Sequence, residues 1–305
     1  MIHITDANTV VTQDTAITIG KFDGLHRGHT KLIEKVKGYE DLLSVVFSFS
    51  PHPRSVLTNE EVLQICSQEE RKEMIEKAGI DVFVEYRFDL EFAKLTPKTF
   101  LRDILVKKFN CKVLVLGETY RFGRNAVGDV DYILDMTKEL GIELVVVPNE
   151  LVCSEKISSS AIRRLIKAGN INEANKLLGH TYSARGPVEK GNGIGGAILG
   201  YPTANMAVCD KKVLPNNGVY ATKTYYKGVE YQSLTYIGTK PTINHNSTVV
   251  ETYLMDFSED LYMKEIEVHF YDKVRGEKKF DTLEDLREGI KADVELIKKG
   301  FAAKN

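Results

Sequence analysis

Between residues 16 and about 180, short apolar runs rich in β-branched residues alternate with longer segments of helical spacing. This alternation constrains the fold more than any other feature of the sequence. A strand that is apolar at every position suits a parallel sheet covered by helices on both faces. We therefore predict a doubly wound, Rossmann-like α/β domain that binds ligands beyond the carboxyl ends of its strands. The predicted strands are residues 16–19, 42–49, 82–85, 113–116 and 144–147.

Segments of helical spacing separate these strands. Each begins or ends at Ser, Thr, Pro, Asn or Gly, the residues that favour helix termini. A Gly-Asn pair at 169–170 then divides two further helical segments. The predicted helices are residues 30–37, 67–78, 99–109, 132–140, 160–168 and 171–178.

The pattern changes after residue 180, where strand-like runs follow one another and a helical segment comes last. Lys227 and Gly228 lie between two aromatic-rich runs, which is typical of a hairpin turn. We predict a small antiparallel β-barrel with a C-terminal helix, and hence two domains, 1–181 and 182–305. The predicted strands are 182–188, 218–226, 231–237, 249–257 and 265–270, and the predicted helix is 283–299.

The composition argues against several classes of protein. The 41 Lys and Arg residues nearly balance the 43 Asp and Glu residues, so we expect no nucleic acid bound by a generally basic surface. The sequence contains no apolar stretch of membrane-spanning length and no secretory signal, so we expect a cytoplasmic protein with no membrane partner. The cysteines are far apart, which argues against a disulfide framework or structural zinc and predicts buried apolar positions for Cys66, Cys111, Cys153 and Cys209.

The sequence GKFDGLHRGH at residues 20–29 predicts a strand, a tight turn and the start of a helix. The turn brings His26 and His29 to the helix N-terminus, where free N–H groups and the helix dipole favour phosphate. Two imidazoles at this spacing can donate to one phosphate and stabilise charge as a phosphoryl centre is attacked. The alternative is a plain turn with capping or solvated histidines. Further candidate phosphate-binding residues of this segment are Gly20, Phe22, Asp23, Gly24 and Gly28.

A second candidate phosphate site opens the helix predicted at residue 160. Ser158 and Ser159 can cap free N–H groups or donate their hydroxyls to phosphate, and Arg163 on the first turn can bind two oxygens. Taken alone, such a segment is more often a plain serine cap with the arginine on a solvated face.

Five motifs occur in the order found in a known family. They are GKFDGLHRGH at 20–29, VVFSFSPHP at 45–53, LGETYRFG at 116–123, ISSSAIR at 157–163 and GYPTAN at 200–205. On these motifs the sequence resembles the prokaryotic bifunctional riboflavin kinase/FAD synthetase family over nearly its whole length.

The resemblance implies that the first half is an HxGH nucleotidyltransferase. It would transfer AMP from ATP to FMN, giving FAD and pyrophosphate, with Mg2+ screening the triphosphate. The resemblance assigns the ATP phosphates to His26, His29, Ser159 and Arg163, and it implies that the turn at 20–24 closes over the nucleotide.

The flavin-binding residues are the least defined part of this comparison. Tyr120, Arg121 and Phe122 are candidates, because the two aromatic rings could stack on the isoalloxazine, but both could equally pack in the core. Ser50 and Thr119 stand where the family usually has an acidic residue and Asp or Asn, respectively. By analogy both border the flavin or its phosphate.

The resemblance implies that the second half is a riboflavin kinase, which makes FMN and ADP from riboflavin and ATP. Thr203 and Asn205 offer oxygen ligands to Mg2+ bound with ATP. Glu251 matches the family glutamate proposed to take the proton from the riboflavin 5'-hydroxyl. From the residues alone, a proline turn capped by Asn205 and an outward-facing strand glutamate are the alternatives.

The loop that begins at Gly191, a candidate ATP-binding residue, departs from the family pattern. Gly196 stands where an arginine is usual, so a bidentate phosphate donor is lost. Three hypotheses follow: a bifunctional enzyme, an FAD synthetase whose second half only binds flavin or nucleotide, and a non-catalytic flavin-binding sensor. The candidate catalytic residues argue against the sensor, and they are His26, His29, Arg163 and Glu251.

Overall fold

The structure, a computed structural model, describes residues 1–6, 8–121, 130–152, 155–190, 200–241 and 246–303. The chain divides into two compact units, Met1–Ser159 and Ser160–Asn305. This division comes earlier in the chain than the predicted domain boundary between residues 181 and 182, which stays a prediction.

A six-stranded parallel sheet with the order β1-β4-β3-β2-β5-β6 forms the first unit, which confirms the predicted doubly wound fold. All five predicted strands are present. The strand β1 was not predicted, because three residues are too few for a hydrophobic period to be recognised. The strands are β1 Ile2–Ile4, β2 Thr15–Ile19, β3 Leu43–Ser50, β4 Val82–Arg87, β5 Cys111–Gly117 and β6 Glu143–Val147.

Helices cover both faces of the sheet because alternate strand residues point to opposite sides. Ile17 and Phe47 belong to the core on one face, and Ala16 and Val46 belong to the core on the other. The helical elements are α1 Arg27–Lys37, α2 Pro53–Thr58, α3 Gln68–Lys77, a 3₁₀ turn Phe92–Lys94, α4 Pro97–Thr99, a π-helical segment Phe100–Val106 and α5 Val130–Leu140.

Two helix predictions need correction. The helix predicted from residue 30 begins at Arg27, because the His26 side chain caps it. The helix predicted over 99–109 is instead the short α4 followed by the π-helical segment, whose wider turn has no marker in the sequence. The start predicted at Ser67 is confirmed, since Ser67 and Glu70 form a reciprocal capping box.

A closed six-stranded antiparallel barrel with the order β10-β13-β12-β11-β14-β9 forms the second unit, as predicted. The predicted hairpin is confirmed, since Tyr226 pairs with Val229 and both intervening residues have positive φ. The short β10 was not predicted. The elements are β9 Ser183–Glu189, β10 Ala204–Met206, β11 Gly218–Tyr226, β12 Val229–Pro241, β13 Asn246–Leu254, β14 Glu265–Arg275 and α8 Leu283–Ala302.

Before the barrel come a small hairpin, β7 Leu151–Val152 with β8 Glu155–Lys156, and two helices, α6 Ser159–Ala168 and α7 Ile171–Leu178. The side chain of Asn175 in α7 joins this helix to the barrel. Its Nδ2 donates to the carbonyl oxygen of Phe270 at 2.9 Å, and its Oδ1 accepts from the backbone N–H of Tyr182 at 2.7 Å. The compact second unit therefore includes α7.

The cysteine prediction holds for Cys66 and Cys111, which are buried, and Cys153 lies outside the described residues. It is wrong for Cys209, which is exposed because it lies in the surface connection that follows β10.

Candidate active sites

The strand order of the first unit reverses at β2, where a doubly wound sheet opens a ligand crevice. The chain passes from β2 to β3 on one side, whereas β5 pairs with β2 on the other side, for example at Thr18 and Val115. Gly20 directly follows the carboxyl end of β2, and residues 118–121 follow that of β5. The fold thus brings the starts of two predicted motifs to the same edge of the sheet.

The turn after β2 is closely packed around two of its glycines. A Cβ on Gly20 would lie 3.0 Å from the ring of Phe22, which is fully buried. Gly24 has a φ of +79°, and a Cβ there would lie 2.8 Å from Cγ2 of Ile65. Glycine is therefore required at position 24, whereas a side chain at position 20 would need the ring of Phe22 to move by a few tenths of an ångström.

Asp23 fixes this turn to two other segments. Its carboxylate, which is 4% exposed, accepts hydrogen bonds from the backbone N–H groups of Ile65 at 2.8 Å and Cys66 at 3.2 Å. Its carbonyl oxygen accepts from the hydroxyl of Ser159 at 3.0 Å. Ser159, the first residue of α6, thus contacts the turn after β2. The sequence had indicated these two segments as separate candidate phosphate sites.

His26 and His29 form a stacked pair at the N-terminus of α1. Their ring centroids are 3.6 Å apart with 13° between the ring planes. Nδ1 of His26 accepts from the backbone N–H of His29 at 3.3 Å, so the neutral His26 ring carries its proton on Nε2. A Cβ on Gly28 would lie 3.3 Å from that Nδ1, and the glycine thereby leaves room for the ring.

The charge state of His29 follows from its surroundings. Burial, and secondarily the neighbouring His26, hold the pKa of His29 well below its ordinary value of 6.5. The ring is therefore neutral at pH 7. Its Nδ1 is buried and has no hydrogen-bond partner among the described residues. A buried polar atom without a partner is costly, which is typical of an atom kept for a ligand.

The remaining candidate phosphate residues lie at or near the start of α6. Ser158 immediately precedes the helix and Ser159 begins it. Arg163 follows one turn later, and its Nη2 donates to the hydroxyl of Ser160 at 3.3 Å. In the turn after β2, Lys21 and Arg27 are exposed cations on either side of the buried residues 22–26. These two cations of the first unit suit a polyphosphate.

The structure places Tyr120 against the core, on the face of the sheet that contains Ile17 and Phe47. Burial raises the pKa of its phenol. Arg121 is exposed, whereas Phe122 lies outside the described residues. A group of half-buried aromatic residues around Phe49, at the end of β3, was not predicted from the sequence. The other members of this group are Phe88 and Phe92, and each has its ring centroid 5.6 Å from that of Phe49.

Ser50 and Thr119, which depart from the family pattern in the first half of the chain, both make side-chain hydrogen bonds. The hydroxyl of Ser50 accepts from Nε2 of Gln68 at 2.7 Å, and the hydroxyl of Thr119 lies 3.3 Å from Oδ1 of Asn149. Each residue thus links the end of a sheet strand to a neighbouring segment.

In the second unit, β10 brings two predicted residues together. Asn205 pairs directly with Glu251 of β13 on one side and with Glu189 of β9 on the other. Thr252, the next residue after Glu251, is fully buried in the barrel and bonds to Thr235 at 3.0 Å. Because strand residues alternate, Glu251 faces outward. The sequence did not single out Glu189, because only the barrel's pairing places it in this row.

Thr203 lies just before β10 and borders a cavity of about 300 Å³. The same cavity is lined by Glu189, Lys190 and Pro202, and by the segment at 257–262. Apolar and polar groups therefore meet beside a predicted metal-binding hydroxyl, as in many small-molecule sites. The predicted ATP residue Gly191 lies outside the described residues.

Tyr236 of β12 pairs with Glu251 on the side opposite Asn205. Its hydroxyl donates to Oε1 of Glu277 at 2.7 Å, and the other carboxylate oxygen accepts from Asn217 at 3.2 Å. Burial is the larger cause and the hydrogen bond to Glu277 the second cause that together raise the pKa of Tyr236 to about 12. The phenol is thus protonated and donates its proton to the hydrogen bond with Glu277.

The described residues contain no group of three or more His, Cys, Asp or Glu side chains arranged to hold a metal ion. In the same part of the chain, no helix combines the length and apolar character needed to cross a membrane.

Two family models match the chain. The FAD synthetase model matches residues 9–161, and the riboflavin kinase model matches residues 178–301. The first matched region contains the first candidate site except Arg163, and the second contains the candidate site of the second unit.

Several curated relatives extend over the whole chain, and each is named as a bifunctional riboflavin kinase/FMN adenylyltransferase. The Listeria monocytogenes relative is 33% identical over 98% of this chain and 94% of its own length. The Haemophilus influenzae relative is 33% identical over 97% of both chains. The Escherichia coli K12 relative is 32% identical over 93% of this chain and 92% of its own length.

One solved structure has a similar fold over nearly the whole chain. It is described as a macrolide-efflux protein from Streptococcus pneumoniae, and it is 30% identical with a TM-score of 0.89. The match covers 97% of this chain and 98% of that chain. This description differs from the names of the curated relatives, although the fold is shared.

Proposed function

The chain belongs to the bifunctional riboflavin kinase/FMN adenylyltransferase family, and from this membership we propose that it catalyses two consecutive reactions on flavins. The second unit phosphorylates riboflavin with ATP to give FMN and ADP. The first unit then transfers AMP from a second ATP to FMN, giving FAD and pyrophosphate. Because both reactions consume ATP, we place the protein in the cytoplasm.

The observation that most supports adenylyl transfer is the stacked histidine pair at the N-terminus of α1, in which burial keeps His29 neutral. The pair, the free N–H groups of the helix and the start of α6 offer donors to the phosphates of ATP. The FMN phosphate attacks the α-phosphorus in line while pyrophosphate departs. We assign the phosphates to His26, His29, Ser158, Ser159 and Arg163.

The protein contributes mainly position and charge to this step. No covalent nucleophile is required, because the attacking group is the phosphate of FMN itself. Gly20, Gly24 and Gly28 allow the turn to close against the nucleotide, Phe22 packs under His29 at 4.8 Å, and Asp23 anchors the turn. The last two residues thus hold the phosphate site in shape.

For the flavin ring we propose the face of the sheet that contains Tyr120. Phe49 at the end of β3 and Tyr120 after β5 pack against the same core, and both lie near the crevice at β2. Flat aromatic side chains at such an edge offer a stacking surface to the isoalloxazine. Arg121, which is exposed, is available to the flavin phosphate.

For the kinase step we propose Glu251 as the base that takes the proton of the riboflavin 5'-hydroxyl. The new O–P bond forms at the γ-phosphorus while the bond to the departing ADP breaks. Asn205 lies directly beside Glu251 and Thr203 borders the cavity that we assign to ATP. Gly191 is proposed to contact the same nucleotide.

The side chains near this cavity fit a Mg2+ ion bound together with ATP. Thr203 and Asn205 provide the hard oxygen donors that Mg2+ prefers, and few protein carboxylates are needed when phosphates supply the other ligands. When bound, the ion neutralises charge on the transferred phosphoryl group. Among the described residues only Glu189 and Glu251 add carboxylates to the row of Asn205.

The match of both family models supports the bifunctional enzyme over an FAD synthetase with a silent second unit, and over a non-catalytic sensor. The test is to incubate the protein with Mg-ATP and either riboflavin or FMN, and to separate the flavins by chromatography. We expect FMN and FAD from riboflavin, and FAD from FMN. If FMN gives FAD but riboflavin gives no FMN, the function is limited to the first unit. If neither reaction gives FAD, the proposal is refuted.

Variants then separate the two sites. His29→Ala should lower FAD formation by about 100-fold or more, because one preorganised donor to the developing charge is lost. FMN formation should be unchanged, and His180→Ala serves as a matched histidine control. Glu251→Gln should remove FMN formation and leave FAD synthesis from FMN intact. A parallel loss of both activities in either variant would contradict two separate sites.

A further inference from the structure

Phe22, in the turn after β2, has a strained backbone conformation and packs against His29. Its φ is +49°, a left-handed value that costs a bulky residue free energy. The side chain is fully buried, and its ring centroid lies 4.8 Å from that of His29. A strained residue keeps such a conformation only when its surroundings fix it. The groups that fix the backbone at Phe22 therefore also fix the ring that supports His29.

The peptide group before Phe22 is held by two elements of the first unit. The carbonyl oxygen of Lys21 accepts a hydrogen bond from the hydroxyl of Ser48 in β3 at 3.3 Å, and another from Nη1 of Arg71 in α3 at 3.3 Å. Rotation about the φ bond of Phe22 would turn this peptide group and break both hydrogen bonds. The two donors thus hold the left-handed conformation in place.

A buried cluster around Glu85 orients the guanidinium of Arg71. Both side chains are buried, and Nη2 of Arg71 donates to Oε1 of Glu85. The other carboxylate oxygen lies 2.8 Å from Nε2 of His3, and the guanidinium carbon lies 5.9 Å from the ring centroid of Phe83. A guanidinium is planar and rigid, so fixing one terminal nitrogen on Glu85 directs the other one to Lys21.

We propose that Arg71 and Ser48 are positioning residues of the adenylyltransferase site: together they hold the carbonyl of Lys21 and thereby fix Phe22 against His29. This inference rests on the proposed adenylyl transfer, in which His29 donates to the phosphates of ATP. A donor that is already in place needs no reorganisation when charge develops on the phosphoryl group. Neither positioning side chain needs to touch ATP or FMN.

The kinetic test compares FAD formation from FMN in variants of the full chain. In Arg71→Lys the ammonium can still pair with Glu85, but the fork of donors that also reaches Lys21 is lost. We expect kcat to fall roughly tenfold, the size of one hydrogen bond from a charged donor, while KM for FMN stays within about twofold. Ser48→Ala removes the neutral donor to the same oxygen and should lower kcat about threefold.

His3→Ala is the matched control, because it disturbs the same buried carboxylate and leaves the guanidinium in place. Its kcat should stay within about twofold of the parent. A cluster that only stabilises the fold would give the parent kcat in Arg71→Lys and Ser48→Ala. That result, or an equal loss of kcat in His3→Ala, overturns the proposal. If Arg71→Lys does not fold, Ser48→Ala decides alone, and a parent kcat in this variant overturns the proposal.

A histidine NMR titration separates lost position from lost folding. Burial is the main cause that lowers the pKa of His29, and Phe22 packs against this ring. When Phe22 loosens in Arg71→Lys, the midpoint of His29 should rise toward 6.5, whereas His3→Ala should keep the parent midpoint. A parent midpoint in folded Arg71→Lys overturns the proposal. A parent protein that makes no FAD from FMN would instead refute the adenylyl transfer on which the inference rests, and the NMR comparison would still test the positioning of His29.

Discussion

His29 is the residue whose chemistry depends most on its neighbours. Burial and His26 lower its pKa well below 6.5. At pH values between the folded pKa and 6.5, the ring is therefore neutral in the folded protein and protonated in the unfolded chain. Stability from this group is complete above about pH 6.5 and is lost as the pH falls from there toward the folded pKa. We expect the His29 resonances in a histidine NMR titration to change only well below pH 6.5.

A comparison of spectra with and without His29→Asn assigns the signal. A midpoint at 6.5 or above for His29 would show that this ring is not kept neutral in solution, and the assignment of His29 as an uncharged donor to phosphate would have to be given up.

The sequence identified His26 and His29, and it also identified the glycines around them, because those residues form a continuous local motif. It did not reveal the tautomer of His26 or the neutral state of His29. It also did not reveal the contact of Asp23 with Ile65, which is 42 residues away. Tyr236 carries no motif, and its place beside Glu251 became visible only through strand pairing.

At the scale of elements, the close packing of the turn after β2 leads to a testable prediction. In Gly24→Ala, an alanine must adopt a φ of +79°, and its Cβ would lie 2.8 Å from Cγ2 of Ile65. We expect it to lower the free energy of unfolding of the first unit by about 2–4 kcal/mol. Urea unfolding followed by far-UV circular dichroism measures this change.

Gly141→Ala is the matched control. Gly141 also has a positive φ, +67°, but a Cβ there would meet no atom within 4 Å. Its replacement should therefore show only the backbone strain, about 1 kcal/mol. Equal effects of the two substitutions would mean that the close packing of the turn does not contribute.

Long elements with a clear period were predictable, and short or irregular ones were not. The five predicted parallel strands and the hairpin at Lys227 and Gly228 follow from local sequence patterns. The three-residue strands β1 and β10 depend on neighbouring strands for their hydrogen bonds, so tertiary pairing creates them. The π-helical segment at Phe100–Val106 likewise has no local sequence signal.

At the scale of the whole molecule, the position of α7 gives a testable boundary. Ile171, Ala174, Leu177 and Leu178 are all at most 3% exposed, and Asn175 bonds to the barrel. We expect a fragment of residues 160–305 to be more stable than one of residues 182–305, with a Tm higher by about 10 °C or more. Calorimetry on the two fragments measures the difference.

Asn175→Ala in the longer fragment is the control, because it removes the two hydrogen bonds of Asn175 and keeps the apolar face of α7. Its Tm should lie between those of the two fragments. If residues 182–305 are as stable as the longer fragment, the structural boundary belongs at residue 181, where the sequence analysis placed the domain boundary.

Hydrophobic period and short motifs determined two things about this protein without any structure: a parallel α/β half followed by a barrel, and a family resemblance that named both reactions. These signals are local, since each is contained in a few consecutive residues. Burial, charge state and side-chain partnership depend on residues far apart in the chain. Only the tertiary structure could therefore make His29 neutral, anchor Asp23, and set Glu251 between Asn205 and Tyr236.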